Sequence, residues 1–145
     1  MLSDDPHQFL VGYPAIPPGG VRLRGRVLGP AETPGTSKVW MDAFTPVFDS
    51  LYGVTLYAGS LNLRLAEPVE WEDPFVLDLD GRHWEFCPVV LEEKTVGVVF
   101  RANRLAPDLL EIASTVHLRR ALGGVADGAS VAVRLLPGWD LRPAA

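Results

Sequence analysis

The segment Gly59-Ser60-Leu61-Asn62-Leu63-Arg64-Leu65 alternates polar and apolar side chains from Ser60 to its end. A period of two is that of a strand with one buried face, so Leu61, Leu63 and Leu65 point toward a core while Ser60, Asn62 and Arg64 project from the opposite side. Asparagine is depleted in strand interiors, and its place beside a hydroxyl has two readings. A serine oxygen and an asparagine oxygen two residues apart are hard donors of the kind magnesium takes when phosphates and water complete its shell. The other reading is a polar outer face bonded to water or to a neighbouring loop, which is the commoner use of such a pattern.

The same alternation recurs on either side. Val21, Leu23, Gly25 and Val27 alternate with Arg22, Arg24 and Arg26, which predicts a strand with a row of arginines outside. Residues 29–37 hold Pro30, Pro34 and Gly35 and read as a loop, and 38–42 read as a second strand. Phe44, Val47, Phe48, Leu51 and Tyr52 fall at helical spacing, with Pro46 in the first turn and Gly53 just past the end. Further strands are expected at 75–79, 83–86, 88–91 and 95–101, with Asp80 and Gly81 as a hairpin turn. Leu109, Leu110, Ile112 and Ala113 share one side of a helical wheel. Ser114 and Thr115 are placed to cap another helix, through Leu118 and Leu122 to Gly123 and Gly124. After a turn at Asp127 and Gly128, Val131, Val133 and Leu135 alternate into a closing strand. Many short strands with two or three short helices describe a mainly β protein, a small barrel with helices over its openings. Residues 1–20 carry four prolines and read as an irregular arm, leaving 21–145 as one domain.

Composition narrows the function. The chain has 145 residues, 48% apolar and 21% charged, with 14 Gly and 13 Pro, which suits one turn-rich folded domain. Thirteen cations, eleven of them Arg, stand against 18 carboxylates, and the net charge of -5 argues against sequence-blind nucleic-acid binding. A single cysteine, Cys87, excludes an internal disulfide and any multi-cysteine metal site and points to the reducing cytoplasm. No stretch approaches the ~20 apolar residues of a membrane span, and the start, Met1-Leu2-Ser3-Asp4-Asp5, is acidic where a signal peptide is basic, so a soluble, unprocessed protein is expected. His7, His83 and His117 are too scattered for a zinc site. Glu92 with Glu93, and Asp78 with Asp80, read as solvated carboxylates near turns. Cys87, between Phe86 and Pro88, reads as buried packing, and Trp40, Trp71, Trp84 and Trp139 as core before flavin-stacking groups.

The Gly59–Leu65 stretch resembles the Gly-Thr-Leu-Asn-apolar-basic-Leu signature of the archaeal-type, CTP-dependent riboflavin kinases. Phe48, Leu51, Gly53 and Tyr57 before it are similar to that family in order and spacing. So are Leu109 to Ile112, Leu118 with Arg119, and Asp127 with Gly128 after it, and the likeness covers about 21–136. The resemblance implies a six-stranded cradle-loop barrel that transfers a phosphoryl group from CTP or another nucleoside triphosphate to riboflavin, giving FMN, with Mg2+ as cofactor. By this resemblance Ser60 and Asn62 hold the metal, serine replacing the usual threonine. Gly35 and Thr36 in the first loop, and Val116, His117, Leu118 and Arg119 at the start of the last helix, hold the nucleotide. Asn103, where the family has threonine, and Glu111 position the flavin, and Glu111 is the candidate base. The first loop departs from the family's glycine-rich pattern, since Pro30 and Pro34 remove backbone donors from a phosphate cradle. That departure leaves a second class of function in view, a nucleotide- or flavin-binding module without catalysis on the same barrel.

Overall fold

The computed structural model describes residues 19–29, 37–57, 59–79, 81–102 and 107–138. Seven strands and two helices follow in the order β1 (Val21–Val27), α1 (Ser37–Tyr52), β2 (Leu61–Leu65), β3 (Phe75–Leu79), β4 (Arg82–Leu91), β5 (Thr95–Ala102), β6 (Leu109–Ala113), α2 (Leu118–Ala121) and β7 (Ser130–Leu135). Every pairing is antiparallel. The order β4-β5-β6-β2-β1-β7 closes on itself through β4 and β7, a six-stranded barrel, and β3 is a seventh strand hydrogen-bonded to β4. Closure removes exposed edges from the six, and the alternation of β2 does what its sequence requires. Leu61, Leu63 and Leu65 join Val27, Val89, Leu91, Val99, Leu110, Ile112, Val131 and Val133 inside the barrel. Trp71, from the β2–β3 connection, and Leu118 of α2 belong to the same interior cluster.

A second core lies outside the wall. Phe44 and Phe48 of α1 are fully buried against Trp84 and Phe86 of β4 and Val98 and Phe100 of β5. Phe44 meets the rings of Phe86 and Phe100 at centroid separations of 5.2 and 4.9 Å, the range of favourable edge and tilted aromatic packing. Here α1 covers a side of the barrel, where a position over an opening was expected.

Three other expectations are corrected. Residues 38–42 form the first part of α1, because Met41, Phe44 and Phe48 continue one buried helical stripe. Pro46 therefore lies inside the helix, but it and Asp42, whose carbonyl loses its helical donor, are both exposed to water. The two strands expected at 83–86 and 88–91 are one, β4. Its flank pairs with β3 over residues 82–86 and with β7 over 89–91, and Pro88 stands at the changeover, its carbonyl accepting from the Leu136 N–H at 2.9 Å. The missing N–H falls where neither ladder needs it. Finally, 109–113 is a strand. Leu110 and Ile112 face the interior while Ala113 packs in the α1 cluster, and a strand buried on both faces mimics helical spacing.

The β1 strand, the Gly81 turn and the turn at Asp127 and Gly128 fall where the sequence places them, with Arg22, Arg24 and Arg26 exposed. The arm at 1–18 and Asp80 lie outside the described residues, and no helix among those described is long and apolar enough to cross a membrane.

Candidate functional site

β2 enters the barrel wall at Leu61, and the residues just before it meet the segment that leaves β6. Tyr57, Gly59, Ser60 and Leu61 on one side, with Val116, His117, Leu118 and Arg119 on the other, line a cavity of about 220 Å³. The Tyr57 N–H donates to the Ser114 carbonyl at 2.7 Å and ties the two sides together. Ser114 does not cap α2. Its buried hydroxyl donates to the Val96 carbonyl at 3.0 Å, and the cap is His117, whose Nδ1 accepts from the Arg120 N–H at 3.2 Å. The helix is four residues long, shorter than expected, and ends as predicted at Gly123 and Gly124, both with positive φ.

Ser60 and Asn62 lie together. The Asn62 Nδ2 donates to Ser60 Oγ at 3.4 Å, and Asn62 pairs directly with Glu111 across β2 and β6, so both side chains issue from the outer face of the wall. Ser60 reaches the cavity, whereas Asn62 sits behind it, 8% exposed and outside the lining. Its Oδ1 is fully covered and has no hydrogen-bond partner among the described residues. A covered, unpartnered acceptor is costly unless something else uses it. A half-turn of the carboxamide exchanges its oxygen and nitrogen and sets two hard oxygens side by side, a donor pair that fits a magnesium ion. Groups of three or more His, Cys, Asp or Glu able to hold a metal are absent among the described residues.

Arg119 lines the cavity but its guanidinium is engaged elsewhere. It donates to the Val125 carbonyl at 3.1 Å and the Leu28 carbonyl at 3.2 Å, and pairs with Asp127 at 2.7 Å. Gly29 permits this arrangement, since an added Cβ would lie 2.6 Å from Asp127 Oδ2. Arg119 therefore braces the root of the first loop, joining the end of β1 to the turn before β7. At the far end of β2, Arg64 hydrogen-bonds Asp108 at 2.8 Å and holds its carboxyl below the ordinary value.

The structure thus brings Ser60 and residues 116–119 around one cavity, with Asn62 and Glu111 adjoining. Gly35, Thr36 and Asn103 lie outside the described residues. Sequence reasoning missed the Arg119–Asp127 brace, because Asp127 is fully explained as a turn residue. It also gave Tyr57 no role, since a residue in a loop carries no periodic signal.

A closed antiparallel barrel with this polar pair before and within β2 is a riboflavin-kinase-like barrel. No family model matches the chain. A riboflavin kinase of Methanocella arvoryzae (strain DSM 22066 / NBRC 105507 / MRE50) is 31% identical over 127 residues, 81% of this chain. The chain spans 58% of that protein's length. The chain is a divergent relative of the riboflavin kinases.

Proposed function

We propose that this barrel phosphorylates riboflavin, transferring the terminal phosphoryl group of a nucleoside triphosphate to the ribityl 5'-hydroxyl to give FMN, with CTP the donor that the family resemblance favours. The observation that carries the reading is the Ser60–Asn62 pair, in contact at 3.4 Å, with Ser60 lining the cavity and Asn62 behind it, opposite Glu111. Phosphoryl transfer asks mainly for alignment and neutralised charge, which a few well-placed polar groups supply. Ser60 and Asn62 would hold Mg2+, which neutralises and orients phosphate oxygens when bound. In the assigned roles Glu111 positions the flavin with Asn103 and stands ready to accept the hydroxyl proton, while residues 116–119 and the loop containing Gly35 and Thr36 hold the nucleotide. The reading places the protein in the cytoplasm, with small molecules as its partners.

The test is to incubate the protein with riboflavin, Mg2+ and either CTP or ATP and separate the flavins by chromatography. FMN in one mixture supports the kinase. Nucleotide or flavin binding without FMN supports the second reading, a non-catalytic binding module on the same barrel. That alternative draws on Pro30 and Pro34 in the first loop and on an Arg119 already committed to protein partners.

A further inference from the structure

Five of the chain's eleven arginines share one outer face of the barrel, spread over β2, β1 and β7. Arg22, Arg24 and Arg26 leave β1 on the side away from the core, all exposed, and successive members stand about 6.8 Å apart along the strand. The register sets Arg134 of β7 directly opposite Arg22, and Arg64 of β2 directly opposite Arg26. Like charges in opposed positions weaken a sheet, so the arrangement calls for compensating anions. Asp108 takes Arg64 at 2.8 Å, and both oxygens of Glu93 are held by Arg134. Arg22, its side chain 82% exposed, reaches Glu93 only at 4.0 Å, and Arg24 donates to the uncharged Ser130 hydroxyl at 3.0 Å. Beside these two arginines lies a hollow of about 430 Å³ between β1, β7 and the β4–β5 turn.

The complementary surface is on the same chain. The connection from β2 to β3 carries Glu67, Glu70, Glu72 and Asp73, all exposed, and none of these four side chains makes a hydrogen bond or ion pair among the described residues. The segment is anchored, because Trp71 between Glu70 and Glu72 is buried in the interior cluster and the Glu72 carbonyl accepts the Gly138 N–H at 3.0 Å. Carboxylates already fixed in place lose little freedom on docking. Glu67 follows Arg64 by three positions, and Val69 packs on the same interior cluster as Leu23, which lies between Arg22 and Arg24, so the acidic segment adjoins the arginine face. Adjoining patches of opposite sign are self-complementary about a two-fold axis. We infer that the arginine face of one chain docks residues 67–73 of a second copy, and the reverse, in a dimer whose carboxylates enter the hollow beside Arg22 and Arg24.

Sedimentation velocity of the full chain over a concentration series tests this. Wild type should form a dimer at about 0.1 M salt, where a Debye length of roughly 10 Å screens the repulsion between two acidic chains yet spares close pairs. It should dissociate at about 1 M, where that length is roughly 3 Å. The double variants Arg22→Glu with Arg24→Glu, and Glu70→Lys with Glu72→Lys, should each associate at least about tenfold more weakly. Their equimolar mixture should recover the wild-type dimer, because opposite charges then face each other again in both contacts. All four side chains are exposed, and circular dichroism checks that the variants keep the fold. A wild type that is monomeric at every concentration, or a dimer that survives about 1 M salt, overturns the inference. So does association indifferent to both double variants, or a mixture that fails to recover it.

Discussion

Asn62 is where a pattern visible in the sequence meets a fact that is not. Alternation alone turns Asn62 and Ser60 to the same side of β2, and the structure puts them in contact. What alternation cannot supply is the depth of Asn62, which depends on what lies over the outer face and not on its own strand. Since its oxygen has no partner among the described residues and the hydrogen bond from its Nδ2 to Ser60 is long, Asn62→Ala should change stability by no more than about 1 kcal/mol. Denaturant unfolding checks this, and a larger loss would mean that Asn62 supports the fold. Cys87 was legible outright, being a lone thiol in an apolar stretch. It is fully buried, and desolvation pushes its pKa up to about 12. A disulfide-exchange reagent should leave the native protein unmodified at neutral pH and titrate one thiol once the protein is unfolded.

At the scale of elements, strands with one covered face were readable and strands with two were not. β1 and β2 announce themselves by strict alternation, while β6, covered inside by the barrel core and outside near the α1 cluster, presents the spacing of a helix. β4 hides its continuity behind Pro88, because the sequence does not reveal that two different neighbours share one flank of that strand. The β5–β6 contact gives the sharpest test at this scale. A Cβ at Gly97 would stand 2.8 Å from both the Ala113 carbonyl oxygen and Ile112 Cγ2. Gly97→Ala should therefore cost about 1–3 kcal/mol in denaturant unfolding, because the wall must part to admit a methyl group. Wild-type stability in that variant would refute the tight packing of these two strands.

For the whole molecule, closure of the barrel depends on β4 meeting β7, whose paired residues lie more than forty positions apart and which no local pattern pairs. The turn after β4 is fastened to β7 from outside. Arg134, buried in the wall, donates to both carboxylate oxygens of Glu93 at 2.6 and 2.9 Å and to the Gly19 carbonyl at 2.6 Å. The hydrogen bond from Arg134 holds the Glu93 carboxyl below its ordinary 4.5. A carboxyl depressed in the folded state stabilises it above the unfolded pKa, and that contribution is lost as pH falls through the lower, folded value. Wild type should thus lose stability as pH falls through and below the ordinary carboxylate range, and Glu93→Gln should lose less over the same interval. Equal pH dependence in the two proteins would remove the clasp from the acid response.

Riboflavin phosphorylation through the Ser60–Asn62 pair is tested most directly by the rate at which FMN forms from riboflavin, CTP and Mg2+, compared between wild type and Asn62→Ala at equal folded concentration. Wild type should produce FMN steadily and the variant none above background. Equal rates in the two proteins, or no FMN from wild type with any nucleoside triphosphate, would contradict it.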